Sequence, residues 1–127
     1  MATIDGYIPD AALAHMAKQL GGVDSATPYT EIRVGSGSTA NATSTTALAS
    51  EISTSGFAAV AVTPTTTGAV TSWATTFTAT DAVTVREIGL FTSDDVIGLR
   101  GVLGADKTFE ATDEYEVTIT IDNSRTA

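Results

Sequence analysis

A strict alternation of apolar and polar residues near the C-terminus constrains the fold of this chain most strongly. Between residues 115 and 122 every second side chain is apolar, and the residues between them are polar or charged. The apolar positions are Tyr115, Val117, Ile119 and Ile121. Successive side chains of a strand point to opposite faces, so this pattern predicts a strand with one face on a core and the other in water. Such strands are typical of antiparallel sheets.

Five further segments have strand character, and turns rich in Gly, Pro, Asp and Ser separate them. They are residues 29–34, 57–62, 70–80, 83–91 and 97–103. Together with the closing strand they predict a mainly β fold, an antiparallel β-sandwich or partly open barrel of about six strands. Residues 39–55 are small and polar and are compatible with one or two helical turns that place Leu48 and Ile52 on one side. Residues 107–113 form a polar connection in this interpretation.

The first 22 residues differ in pattern from the rest and predict one short N-terminal α-helix. Asp10 precedes a run of good helix formers, and Gly21 and Gly22 end it. We therefore divide the chain into a helical arm, residues 1–22, and a β-sandwich domain, residues 23–127. The apolar residues of the helix recur at the spacing of one stripe, as Leu13, Met16, Ala17 and Leu20.

A helix of this length is marginal in water by itself, so its apolar stripe needs a surface to dock on. We expect that surface to belong to a neighbouring copy of the chain. Leu13, Met16 and Leu20 are therefore the candidate assembly interface.

Large residues on the apolar faces of the predicted strands form the candidate core. Its members are Trp73, Phe77, Ile88, Leu90, Tyr115, Val117, Ile119 and Ile121. Glu87 is two residues from both Val85 and Gly89 and would share a strand face with them. It is therefore the acidic residue expected to be partly buried, as a hydrogen-bonded structural carboxylate rather than a catalytic one. Its neighbour Arg86 is expected to point to the opposite face of the strand.

Composition argues against several kinds of chemistry. The chain has no cysteine, which excludes disulfides, thiolate zinc sites and thiol catalysis, and it has one histidine, His15. Fifteen acidic against six basic residues give a net charge of −9, which repels nucleic acid and other anionic surfaces. No apolar run is long enough for a membrane helix, so no membrane insertion is expected. Low lysine with high acid content suits a protein working in high salt, although an ordinary acidic protein fits nearly as well.

Two segments resemble ligand sites only superficially. The Gly-Ser-Gly sequence after Val34 lacks the Lys and Ser/Thr of a phosphate-binding loop, so we interpret it as a turn at a strand end. Acidic residues cluster between positions 106 and 116 without the twelve-residue calcium loop pattern, and we interpret them as a solvated rim. They are Asp106, Glu110, Asp113, Glu114 and Glu116. We expect no catalytic residue, cofactor or metal, and therefore a protein that is not an enzyme.

Three segments carry a resemblance to a known group of proteins. They are IRVGSGST at 32–39, TALASEI at 46–52 and VREIGLF at 85–91, followed by the closing alternating strand. Together they resemble small structural proteins of tailed viruses, such as tail-collar and tail-fibre N-terminal regions or capsid decoration proteins of tailed bacteriophages and archaeal viruses. The resemblance implies a virion protein that assembles with itself and with other virion proteins, on the tail or on the capsid.

A second class of function stays open. The loops of a β-sandwich are also suited to recognise a glycan or receptor on a host surface. Glycan sites expose aromatic residues at loop tips, and the aromatic residues outside the long predicted strands are Tyr7, Tyr29 and Phe109.

Overall fold

A computed structural model describes residues 6–124 of the chain. Within this range the polypeptide forms one helix and seven strands. They are α1 (Asp10–Gly21), β1 (Tyr29–Gly35), β2 (Val60–Ala61), β3 (Thr65–Thr67), β4 (Val70–Thr78), β5 (Val83–Thr92), β6 (Ile97–Phe109) and β7 (Glu114–Asp122).

The strands form two sheets in which all neighbours are antiparallel. The larger sheet has the order β2-β1-β5-β6 and the smaller one the order β3-β4-β7. The predicted fold class, a mainly β sandwich with one short N-terminal helix, is confirmed, and the sheets do not close into a barrel. Strands β6 and β7 therefore lie at the edges of their sheets. Near the N-terminus Tyr7 covers part of the β6 edge, because its amide donates to the carbonyl of Arg100 at 2.8 Å and its carbonyl accepts from the Arg100 amide at 2.9 Å.

The hydrophobic core lies between the two sheets. Six of the eight candidate core residues are buried there, namely Trp73, Phe77, Ile88, Leu90, Val117 and Ile119. Tyr115 and Ile121 are partly buried and pack against this core. Phe57, from the irregular segment before β2, stacks on Phe77 with 5.2 Å between ring centroids. Such aromatic pairs add to the free energy gained from burial alone.

A β-bulge interrupts the pairing of β5 with β6. Val85 pairs with Lys107, and Glu87 pairs with Val102, so residues 103–106 of β6 lie opposite Arg86 alone. The Arg86 Nε donates to the Leu103 carbonyl at 2.7 Å and so fixes the position of these four bulged residues. Because a bulge shifts the alternation of side chains, Val85 faces the core while Glu87 faces the other side of the sheet. The expectation that these two residues share a face is therefore wrong.

The helix docks on its own sheet domain, and the predicted stripe is divided between two sides. Ala12 is fully buried and Met16 packs against the core, whereas Leu13 and Leu20 are 54% and 92% exposed. Leu13, Met16 and Leu20 therefore do not form one exposed face, and the expectation that they do is wrong. The small Ala12 side chain lets the helix lie close to the sheet, and the next residue, about 100° further around the helix, then points outward.

Two other expectations about local structure are wrong. Residues 47–52 form no helical turn. Instead Leu48 packs against Phe91, and the Ile52 amide donates to the Val34 carbonyl at 2.9 Å. The expected polar connection at 107–113 begins later, because β6 continues to Phe109, whose buried ring lies against Phe57 at 5.4 Å.

Candidate functional site

A buried ion pair lies on the outer face of the larger sheet, away from the sandwich core. The Arg100 Nε of β6 donates to the Glu87 Oε1 of β5 at 2.8 Å. Glu87 is fully buried and Arg100 is 2% exposed. Two charges out of water are costly unless further hydrogen bonds satisfy them, so the groups around this pair decide whether it is stable.

Three backbone amides surround the Glu87 carboxylate. The amides of Gly37, Ala49 and Ser50 each donate to it at 2.8 Å. They come from the beginning and the end of one irregular segment, residues 36–51, which we call the covering loop. Hydrogen bonds to a charged acceptor are stronger than those between neutral groups. The prediction that Glu87 is a buried, hydrogen-bonded structural carboxylate is confirmed.

Arg100 holds the middle of the covering loop. Its Nη1 donates to the Thr39 carbonyl at 2.7 Å and to the Asn41 Oδ1 at 2.8 Å. The Asn41 amide in turn donates to the Arg100 carbonyl at 3.2 Å. The ion pair thus attaches the covering loop to β5 and β6 at two places, residues 37–41 and residues 49–50.

Two glycines make this arrangement possible. A Cβ built on Gly37 would lie 2.6 Å from the Glu87 Oε2 and would also collide with the Cβ of Ala49. A Cβ on Gly35 would meet the same carboxylate. The Gly-Ser-Gly sequence, interpreted above as a turn, has a further role. Its glycines let the backbone lie close to the buried Glu87 carboxylate. The two glycines directly after a strand are the signal that sequence reasoning missed.

A second charged cluster lies beside the covering loop. Arg33 of β1 donates to the Glu31 carboxylate at 2.8 Å, pairs with Asp95, and lies 4.4 Å from the centre of the Phe91 ring. Partial burial lowers the pKa of Arg33, but hydrogen bonds to Asp95 and Glu31 outweigh that effect and raise it. This guanidinium stays charged and covers the aromatic residue below it.

Large apolar residues are exposed on the outside of α1 and in the segment directly after it. Leu13, Leu20 and Val23 are 54%, 92% and 51% exposed, and we call these three residues the helix patch. Leu13 and Leu20 are two helical turns apart and lie on one side of α1. Clusters of large exposed apolar residues mark interaction surfaces more often than isolated ones do.

An open cleft of about 900 Å³ lies between the two edge strands, and we call it the β6–β7 cleft. Its apolar lining comes from both sheets and consists of Ile88, Leu99, Leu103, Tyr115, Val117 and Ile119. Its charged lining consists of Asp106, Lys107, Glu114 and Glu116. The Lys107 ammonium lies 5.3 Å from the centre of the Tyr115 ring. This is the side on which the sandwich is not closed.

A smaller cavity of about 480 Å³ lies where α1 meets the sandwich. Met16, Gln19, Tyr29 and Trp73 contribute to its lining. The Trp73 Nε1 donates to the Tyr29 carbonyl at 2.8 Å, and His15 lies 5.6 Å from the Tyr29 ring in an edge-to-face arrangement. Burial raises the pKa of Tyr29 to about 12. This side chain therefore stays neutral over the ordinary pH range.

Neither Tyr29 nor Phe109 is accessible for glycan stacking, and the expectation that Phe109 lies outside the strands is wrong. Tyr29 begins β1 and Phe109 ends β6, and they are only 6% and 5% exposed. Of the three residues considered for glycan stacking, Tyr7 alone is more than marginally accessible. Buried rings offer little face on which a sugar can stack.

The predicted acidic rim consists of exposed residues. Asp106 pairs with Arg86 at 3.2 Å, and the Glu110 amide donates to the Asp113 carboxylate at 2.8 Å. Across residues 6–124 no three acidic or histidine side chains converge as a metal site would require. The helix in that range is too short to cross a bilayer.

Comparisons with known proteins gave no match, whether with family models, curated proteins or solved structures.

Proposed function

We propose that this protein is a non-enzymatic structural component of a tailed virus, and that it works by assembling with further copies of itself and with neighbouring virion proteins. Its place in the virion is on the tail, at a baseplate, collar or fibre attachment, or on the capsid as a decoration or turret element. The resemblance of its three sequence segments to virion proteins supports this assignment.

The helix patch is the observation that carries the proposal. A leucine that is 92% exposed gains roughly 1.5–3 kcal/mol when a second surface removes it from water. Leu13 lies on the same side of the helix two turns away, and Val23 is a further exposed apolar residue just beyond the helix. The helix itself is fixed to the sheet domain through Ala12 and Met16, so it presents these residues on a rigid support.

The mass in solution tests the proposal. Light scattering coupled to size exclusion should give a defined oligomer rather than a single chain of 12.9 kDa. Because each copy carries a charge of −9, screening of that charge by salt should strengthen assembly. A protein that stays monomeric at every concentration and salt level, or an oligomer that dissociates on adding salt, would contradict the proposal.

A binding module for a host-surface glycan or receptor is the second candidate. The cavity beneath α1 favours it, since its volume falls in the range of small-ligand sites and Gln19 and Asn123 supply amide groups at its wall. Binding to a glycan array by a stable monomer, lost on Asn123→Ala or Gln19→Ala, would select this candidate over assembly.

A further inference from the structure

The β6–β7 cleft exists because the two sheets differ in width. The larger sheet has four strands and the smaller sheet has three. Within residues 6–124 no strand pairs with the outer edge of β7, and the pairing of Tyr7 with Arg100 occupies only part of the β6 edge. One additional strand on β7 would give both sheets four strands. Such a strand would lie across the cleft from β6, over the apolar residues that line it.

We propose that the β6–β7 cleft binds an extended segment of a different protein, and that this segment pairs with β7 as the fourth strand of the smaller sheet. The free backbone groups of an edge strand supply a ready template for such pairing. Strand addition of this kind obtains affinity from main-chain hydrogen bonds and specificity from alternate side chains.

The inward side chains of the segment have to be apolar. Leu99 and Leu103 face the cleft from β6, and Val117 and Ile119 face it from β7. In a strand next to β7 every second side chain would enter this space. Covering it would also shield the most accessible part of the sandwich core.

The outward side chains of the segment have to be basic or neutral. Glu114 and Glu116 are exposed on the polar face of β7, and Asp106 lies at the opposite wall. Asp106 is already paired with Arg86 at 3.2 Å, so Glu114 and Glu116 against Lys107 leave the described lining with an excess of one carboxylate. Lysine or arginine directly across from a strand glutamate contributes about 0.2–1 kcal/mol, and a like charge is destabilising.

The same charges argue against a second copy of this chain as the occupant. If two β7 strands paired in antiparallel fashion about Thr118, Glu114 of each would lie across from Asp122 of the other. Each copy also brings a net charge of −9. Self-assembly through the helix patch and binding in the β6–β7 cleft are therefore separate contacts with separate partners.

This inference deepens the proposed function by naming the chemistry of the neighbouring virion protein, and it rests on that function for the source of the strand. Its test is made independent of self-assembly by using a variant that carries Leu13→Ser and Leu20→Ser. Loss of self-assembly in this variant leaves the cleft unchanged, because neither leucine lines it. Failure of strand binding leaves the oligomeric mass of the wild-type protein unaffected.

The experiment titrates synthetic twelve-residue peptides into the labelled variant and follows backbone amides by NMR. The first peptide alternates Val or Leu with Lys or Thr. The second has the same composition in an order without alternation, and the third has Glu in place of each Lys. We expect the first peptide alone to shift the amides of β7 and of the facing part of β6, and to slow amide exchange on β7.

Two charge-reversed proteins complete the test. Glu114→Lys with Glu116→Lys should weaken binding of the first peptide at least tenfold, because it replaces attraction by repulsion at the edge of β7. Asp24→Lys with Asp94→Lys changes the net charge equally at sites outside the cleft and should leave binding within about twofold. The proposal is overturned if the three peptides bind alike, if the shifts lie elsewhere, if the two reversed proteins behave alike, or if nothing binds at about 1 mM.

Discussion

The outer face of the larger sheet and the β6–β7 cleft are two apolar surfaces that the chain treats differently. On the outer face an irregular loop covers Phe91 and packs its own Leu48 against that residue, and the Glu87–Arg100 pair attaches the loop by hydrogen bonds of 2.7 to 2.8 Å. At the cleft Ile88, Leu99, Val117 and Ile119 are buried, whereas Leu103 and Tyr115 are partly exposed and the space beside them is open. The difference teaches that a segment without regular structure can close a sheet face when buried charges fix it, and that a face without such a segment is available to a partner.

Removing one member of the buried pair should give the largest effect on the covered face. Arg100→Ala leaves the Glu87 carboxylate buried without its counter-ion, and we expect it to lower the free energy of unfolding by about 3–5 kcal/mol. Denaturant unfolding followed by circular dichroism measures this change.

Asp24→Asn is the control for that variant, because asparagine removes the charge and tolerates the positive φ of 56° at this position. The ion pair of Asp24 with Lys18 spans 3.7 Å between side chains that are 69% and 51% exposed. Exposed pairs of this kind contribute about 0–1 kcal/mol, so the control should unfold almost like the wild-type protein. Equal losses of stability in the two variants would contradict the claim that the buried pair stabilises the covered face more than an exposed pair does.

A smaller loss of stability is expected where the covering loop comes close to the carboxylate. Gly37→Ala places a methyl group 2.6 Å from the Glu87 Oε2, and we expect a loss of about 1–3 kcal/mol from overpacking. Gly104→Ala, among the four bulged residues of β6, meets nothing within 4 Å and should change stability by less than about 1 kcal/mol. The same thermal midpoint for both variants would contradict the claim that the covering loop needs a glycine beside the Glu87 carboxylate.

At the open side, the wall of the cleft depends on Arg86. Arg86→Ala removes the hydrogen bond to the Leu103 carbonyl at 2.7 Å, and we expect a loss of about 0.5–1.5 kcal/mol. Amide exchange should quicken in residues 103–106 and stay unchanged in the covering loop. Faster exchange in both regions would contradict the independence of the two surfaces.

The last effect appears only at high pH and concerns Tyr29, beneath α1. Its pKa is about 12 in the folded protein against 10.0 for the free side chain, so the folded state keeps the phenol proton more tightly. This contribution to stability is complete below pH 10 and is lost as the pH rises towards 12. Between pH 9 and pH 12 the free energy of unfolding should decline more steeply in the wild-type protein than in Tyr29→Phe. Parallel curves, or a phenol absorbance change near pH 10 at this residue, would contradict the burial of Tyr29.

Patterns within one strand predicted the sandwich and much of its core. The alternation from Tyr115 to Ile121 and the spacing of Trp73 and Phe77 both reflect side-chain directions that adjacent residues fix. The same local reasoning identified Glu87 as a buried carboxylate, although Val85, on which that reasoning partly relied, lies on the other face of the sheet. It gave no sign of Arg100 as the partner, because the pairing of β5 with β6 brings these residues together, with Arg100 opposite Gly89 and Glu87 two residues away on the same strand.

Long-range packing also explains the errors at the helix and the covering loop. A stripe of Leu13, Met16 and Leu20 follows from periodicity, but the small Ala12 decides which side approaches the sheet. The helical turn expected around Leu48 gives way because the amides of Ala49 and Ser50 bind the Glu87 carboxylate. Neither contact has a signal in the local sequence.

The mass of matched helix variants tests the central claim most directly. Truncation of residues 1–22 would also uncover residues of the sandwich, since Met16 packs against its core, so substitutions on the exposed side are the better tool. The claim predicts an oligomer for the wild-type protein and for the control Ala58→Ser with Ala59→Ser, which changes exposed residues outside α1, and a folded 12.9 kDa monomer for Leu13→Ser with Leu20→Ser. A wild-type monomer, or one mass for all three proteins in light scattering, would contradict it.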